Sequence, residues 1–290
     1  MQAYSMPFSK VIDIDQGARE HFHVPKYQRE YAWGRKEWEQ LLLDVDENDP
    51  GYFMGSLICV NDSADPAPGD ELIYEVVDGQ QRFATLSLLL MALYASLTKK
   101  LKDYSFEDNE EEEETQAILA SIKAKLIKRK KDPRIGEPGG IAVGKHIYFL
   151  RVQPSAQNHN LEDYRYVLTE IGLLEGQPKP RNCSLRRIYR TFAYFLANTP
   201  TEVPALCDMV RKINQLIFVQ ITVGSQSDAF TLFESLNNRG IPLSAIDIIK
   251  NKLMAEMERQ HRVDIDDSFT RWQEIIGALP DTVEQERFLR

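Results

Sequence analysis

Cysteine is scarce in this chain: Cys59, Cys183 and Cys207 are the three present in 290 residues. No two of them form a CxxC pair, which argues against a disulfide framework or a cysteine zinc cluster and fits a reducing cytoplasm. No GxxxxGK[ST] occurs, so a P-loop mechanism is excluded. Long apolar runs are also missing. The most apolar stretch, Leu86–Leu97, is shorter than the ~20 residues needed to span a bilayer, and Met1–Lys10 lacks the basic start and apolar run of a signal peptide. No membrane partner is expected. The five histidines (His21, His23, His146, His159, His261) include no paired metal motif. His21 and His23 can share one strand face but read as structural, and Asn158-His159-Asn160 reads as a polar loop. Positive charge is in deficit: 35 Lys and Arg face 44 Asp and Glu, for a net charge of −9. That argues against a general nucleic-acid coat and leaves room for a local basic patch.

A hydrophobic content of 43% and a charged content of 27% are ordinary for a globular chain, and the length allows one large domain or two smaller ones. The most informative stretch is Asp78-Gly79-Gln80-Gln81-Arg82. Ile73–Val77 before it alternates and is β-branched, which predicts a strand; Phe83–Leu97 after it predicts a buried helix. A strand–turn–helix junction gathers free backbone N–H groups and the positive end of a helix dipole, which suits a phosphate. Arg82 can add a bidentate contact, and Asp78 can hold a metal or a hydroxyl. The alternative is a helix for which Asp78 is only the N-cap and Arg82 is solvated.

Other elements follow from periodicity. Strands are expected at Met6–Ile14, His21–Val24, Tyr52–Val60 and Leu216–Val223, with no good strand pairs between Ile147 and Leu216. Helices are expected at Lys36–Asp46, Leu161–Leu174, Leu185–Asn198, Val203–Ile213 and Ser227–Ser235. The glycine inside Tyr52–Val60 suggests close backbone approach to some other group. Asn61–Glu71 reads as a hairpin-like loop and Pro133–Gly144 as a loop rich in glycine and proline. Val24–Trp33 is dense in aromatic, amide and guanidinium groups. Its aromatics can stack on a base, with Arg29 on a phosphate, or Tyr27, Tyr31 and Trp33 can be core residues that fix the loop. After Leu97 an acidic run, Glu110–Glu114, precedes a basic stretch from Lys123 to Arg134. Such runs are usually solvated helix ends or loops; the functional alternative puts Lys128, Arg129, Lys130 and Lys131 on a DNA backbone. Asn237, Arg239 and Lys250 form a second polar cluster at helix ends, suited to anions or merely to local capping.

Tyr27-Gln28-Arg29-Glu30-Tyr31-Ala32-Trp33, the glycine strand Phe53–Val60, Val76–Leu86 and Phe233–Leu253 together resemble the N-terminal domain of the GmrSD-type, modification-dependent restriction endonucleases, a group that includes SspE-type and BrxU-type proteins. The motifs stand in the family's order across most of the chain. The resemblance implies an α+β fold: a ParB/sulfiredoxin-like core, residues 1–98, followed by a mainly helical subdomain, residues 99–290. It implies nucleotide binding and hydrolysis at Asp78–Arg82, coupled to sensing of modified double-stranded DNA, with a nuclease domain in cis after residue 290 or in a partner subunit, and a possible homo-oligomer. Carried over residue by residue, Asp78, Gln80, Gln81 and Arg82 are the expected catalytic group. Tyr27, Gln28, Arg29, Gly79, Thr85, Asn237, Arg239, Gly240 and Lys250 are the expected nucleotide-binding group. The expected cofactors are a nucleoside triphosphate and Mg²⁺ or another divalent cation held by Asp78. On this reading Arg82, Arg29 and Arg239 neutralise the phosphates and Gln80 or Gln81 orients water.

A ParB-like switch that clamps DNA without turnover is the main rival. A purely structural partner-binding domain is another. Sulfiredoxin-like redox repair needs a cysteine beside the phosphate loop, and residues 78–82 contain none.

Overall fold

In this computed structural model, which describes residues 1–12, 19–61, 71–131, 140–236, 253, 270–274 and 278, the first strand, β1 (Gln2–Pro7), ends at a proline. The expected strand over Met6–Ile14 therefore stops early. Proline cannot donate to a ladder, and Phe8, Val11 and Ile12 bury themselves at helical spacing in a single turn, α1 (Phe8–Val11).

The chain then runs through β2 (Glu20–His23), α2 (Arg35–Glu47), β3 (Phe53–Val60) and β4 (Leu72–Asp78), then α3 (Gln80–Lys100) and α4 (Asn109–Leu126). Next come β5 (Ile127–Lys131), β6 (Gly140–Val143), β7 (His146–Leu150) and β8 (Val152–Gln153). The remainder is α5 (Asn160–Glu170), α6 (Arg187–Asn198), α7 (Val203–Gln215), β9 (Ile217–Val223) and α8 (Gln226–Leu236). The expected strands and helices on either side of Asp78–Arg82 are present.

Six strands form a mixed sheet in the order β1-β9-β3-β4-β2-β8. β9, more than a hundred residues downstream of β3, enters between β1 and β3, antiparallel to the first and parallel to the second. β4 runs antiparallel to β3 and parallel to β2. A second sheet, β5-β7-β6, is wholly antiparallel. β7 and β8 fall at the start of the stretch from Ile147 to Leu216, where no good strand pairs were expected, and each pairs with a strand earlier in the chain; Gly140–Val143 is strand where loop was expected. His146–Leu150 (HIYFL) is aromatic and β-branched, yet its partners are a run of lysines and a glycine-led segment that do not read as strands on their own.

α3 is apolar on nearly every side, from Leu86 through Leu93 to Leu97, as suits a helix enclosed by its neighbours. It packs against α4, α6 and α7, while Phe83 at its start meets Phe8, Phe22 and Phe218 from the sheet. Each fully buried leucine here contributes about 1.5–3 kcal/mol. Asp163 of α5, fully buried, accepts two bonds from Arg186 at 2.5 and 2.6 Å and so pins α5 to the start of α6. All three cysteines are buried free thiols. Among the described residues no helix is long and apolar enough to cross a membrane.

Candidate functional site

β4 delivers Asp78 to the end of the sheet, and α3 starts two residues later. The residue between them must turn sharply. Gly79 does so in the left-handed region, φ +84°, and an ideal Cβ there would stand 2.7 Å from the Ser56 carbonyl oxygen. Only glycine fits both demands. The helix opens on the Phe83 N–H donating to the Gly79 carbonyl at 3.0 Å. Asp78 is therefore the last residue of the strand, and the N-cap position belongs to Gly79, which corrects the simple-cap alternative.

Asp78 lies among donors. Burial pushes its carboxyl above the ordinary value, while the Gly79 N–H, the Arg82 and Arg29 charges and the Ser56 hydroxyl pull the other way. Arg82 feels the reciprocal field: burial lowers it, while Asp78, Tyr52 and Asp44 hold it charged. Its guanidinium lies on the backbone of β3 at Gly55, where an added Cβ would come 2.8 Å from Cζ. The close approach expected from a glycine inside that strand is thus to Arg82.

The two glutamines have different surroundings. Gln80 donates from Nε2 to Gln28 Oε1 at 3.1 Å and so joins α3 to the Tyr27–Arg29 loop through two buried amides. Gln81 has both ends bound to backbone: Nε2 donates to the Glu30 carbonyl at 2.9 Å, and Oε1 accepts from the N–H groups of Ala32 at 2.7 Å and Trp33 at 3.4 Å. Thr85 is fully buried, donates to the Gln81 carbonyl at 2.7 Å and lies 2.7 Å from the Tyr31 hydroxyl. Gln81 and Thr85 thus bracket the loop from inside, and neither is exposed to a ligand.

The loop aromatics are core residues. Tyr27 and Tyr31 are 2% and 4% exposed, so neither ring offers a free face to a base. Tyr27 meets Phe230 of α8 edge-on, and its hydroxyl donates to Gln226 Oε1, whose amide in turn donates to Glu75 of β4. Tyr31 accepts from Trp38 Nε1 at 3.1 Å, and burial pushes its hydroxyl up to about 12. Arg29 remains half-buried on the Asp78 side. The loop is also held from outside: Gln157 Nε2 donates to the carbonyls of Lys26 and Gln28, and Arg187 donates to that of Ala32.

Asn237, Arg239, Gly240 and Lys250 lie outside the described residues, as do the side chain of Lys131 and residues 62–70 and 132–139. Of the expected DNA-binding residues, Lys128 and Lys130 share one face of β5 and both pair with Glu71, at 2.7 and 2.9 Å. Arg129 points the other way and is exposed. Burial pushes Glu71 up, but hydrogen bonds from His21, Lys128 and Lys130 take it well below the ordinary carboxylate range. His21, fully buried, bridges Glu71 at 2.8 Å and the Leu150 carbonyl at 2.9 Å. This cluster joins the two sheets.

A divalent cation fits the donor set only in a limited way. Among the described residues no three His, Cys, Asp or Glu side chains gather as ligands. Asp78 alone at this junction suits an ion of the Mg²⁺ type, which is commonly held by one carboxylate and the phosphates of a substrate.

Ser56, Gln226, Glu75 and Arg187 are part of this arrangement and were not singled out from the sequence. Only Ser56 carried a signal, standing beside the strand glycine. No curated protein matches the chain. The family model described as GmrSD restriction endonuclease, N-terminal domain, matches residues 11–254. The chain belongs to the GmrSD restriction endonuclease family, of which these residues form the N-terminal domain.

Proposed function

We propose that this domain binds a nucleoside triphosphate against Asp78–Arg82 and hydrolyses it, coupling recognition of modified DNA to the nuclease activity of the restriction system. The observation that supports this most is the seat of Arg82: a charged side chain laid on a glycine backbone beside Asp78, with Arg29 also acting on that carboxylate. Phosphoryl transfer needs positioned charge more than covalent chemistry. In hydrolysis, water attacks the terminal phosphorus and the bond to the bridging oxygen breaks, so negative charge grows on that oxygen. Arg82 and Arg29 neutralise it, and the first N–H groups of α3 face the phosphates. When bound, a divalent ion at Asp78 screens the phosphate charges. On this reading Gln80 responds to ligand through its bond to Gln28, and Gln81 holds the loop in shape.

The switch without turnover has its own support. Asp78 is engaged by four donor or cationic groups, an arrangement that reads charge as well as it activates water. Asp78→Ala and Arg82→Ala separate the two readings. Hydrolysis requires steady phosphate release in the native chain and its loss in both variants. Nucleotide-induced thermal stabilisation with no phosphate release in the native chain selects the switch, and absence of both effects rejects nucleotide binding altogether.

A further inference from the structure

Beside the Tyr27–Glu30 loop, which Gln157 and Asn158 hold, lies an open pocket of about 470 Å³ lined by Asn158, His159, Leu161, Glu162, Arg165 and Gln177. Its size is in the range of small-ligand sites. Arg165, on α5, is half-buried, and its Nε is buried without a hydrogen-bond partner. Among the described residues its guanidinium forms no ion pair. Glu162, one turn earlier, is bonded to His159 instead, at 2.8 Å. A partly desolvated cation with no counter-charge is unfavourable by itself and is retained where an anion supplies the missing partner.

The backbone gives a second, independent indication. Asn158 and His159 are consecutive non-glycine residues with positive φ, 49° and 63°. Left-handed strain of this kind collects at ligand sites. The strained turn is tied to the first motif, because Asn158 Nδ2 donates to Glu30 and the neighbouring Gln157 side chain holds the Lys26 and Gln28 carbonyls.

We propose that this cavity is a phosphate-ester site with Arg165 as its anchor. A guanidinium fork matches phosphate oxygens bidentately, and the Gln177 amide adds further donors at the rim. The ester is either a phosphodiester of a DNA strand or the phosphate of a free nucleotide. The site is independent of the hydrolytic role proposed for Asp78–Arg82, and either can fail alone.

The test uses the 290-residue chain as native protein, Arg165→Ala, Arg165→Lys and Arg82→Ala, each checked for an unchanged circular dichroism spectrum. Two probes are titrated: a fluorescent 20-base-pair duplex across a salt series, and GTP and ATP with Mg²⁺. If a DNA strand is the ligand, Arg165→Ala weakens duplex binding at least about five-fold and flattens the salt slope by about one phosphate contact. Arg165→Lys loses less, and nucleotide binding is untouched. If a free nucleotide is the ligand, the same variant weakens GTP or ATP binding and leaves the duplex unchanged. Loss of nucleotide binding in Arg82→Ala alone speaks to the first site only. Phenylglyoxal labelling of the native protein, read by mass spectrometry, needs no variant: the active probe shields Arg165. Unchanged affinities for both probes, or labelling of Arg165 unaffected by either, overturns the proposal.

Discussion

The guanidinium of Arg82 occupies the space that a side chain on Gly55 would need, with Cζ 2.8 Å from the position of an added Cβ. Two motifs far apart in sequence thus meet at one contact, a strand glycine and the last residue of DGQQR. Gly55 also has φ +129°, a conformation that other residues rarely adopt. Gly55→Ala is therefore expected to destabilise the fold by about 1–3 kcal/mol and to expel Arg82 from its seat. Nucleotide-induced thermal stabilisation should fall by more than the loss of fold stability explains. A variant that melts earlier yet binds nucleotide normally would remove Arg82 from the site.

Gln81 offers a test of positioning against chemistry. Gln81→Ala leaves the Glu30 carbonyl and the Ala32 and Trp33 N–H groups without their partner, at a cost of about 1–3 kcal/mol for each such group that stays buried. Gln81→Glu keeps the acceptor for the Ala32 and Trp33 N–H groups but loses the donor and sets a buried carboxylate against the Glu30 carbonyl. Chemical denaturation should place both variants below native. Phosphate release by folded Gln81→Glu should stay within a few-fold of native; complete loss of turnover in a stable Gln81→Glu would instead give Gln81 a direct catalytic role.

His23 makes the fold sensitive to acid. Burial, helped by the nearby His21, lowers its imidazole from 6.5 to about 4. Above 6.5 the folded and unfolded chains both hold it neutral, so its contribution to stability is complete. As pH falls from 6.5 to 4 the unfolded chain takes up a proton that the folded chain resists, and stability is lost, up to roughly 3 kcal/mol. Urea denaturation from pH 7.5 to 4.5 should show a shallower acid decline for His23→Gln than for the native chain. Parallel curves would contradict this assignment.

Glu71 holds the two sheets together through His21, Lys128 and Lys130. Glu71→Gln removes the carboxylate charge that His21, Lys128 and Lys130 share, for an expected loss of about 1–3 kcal/mol. Because the folded carboxyl lies below its ordinary value, its stabilisation is present at neutral pH and fades as acid protonates it. Hydrogen exchange along β5 and β7 should accelerate in the variant. If exchange there matches native, the small sheet is anchored by its apolar contacts alone.

Much of the candidate site was legible in sequence because its signals are local. Strand, glycine and helix around Asp78–Arg82 follow from a change of period, 2 to 3.6, across a residue that tolerates positive φ. α3 is buried because it is apolar on all sides, and the helices from α5 to α8 follow their own periodicity. Pairing is not local. Lys128 and Lys130 read as solvated or DNA-facing charge until β5 is placed beside Glu71, a carboxylate more than fifty residues upstream. Tyr27 and Tyr31 look like stacking platforms in a loop, and only the packing of α8 and α3 against them makes them core.

By itself the amino-acid sequence determined the family, the helix–strand texture and the glycine that the Asp78–Gln80 turn requires, since each depends on residues within a few positions of one another. The tertiary structure alone decided that β9 enters between β1 and β3, that Gln81 serves the loop while Gln80 reaches Gln28, and that Arg82 lies on Gly55. Those outcomes depend on which distant surfaces exclude water together, and no local pattern records that choice.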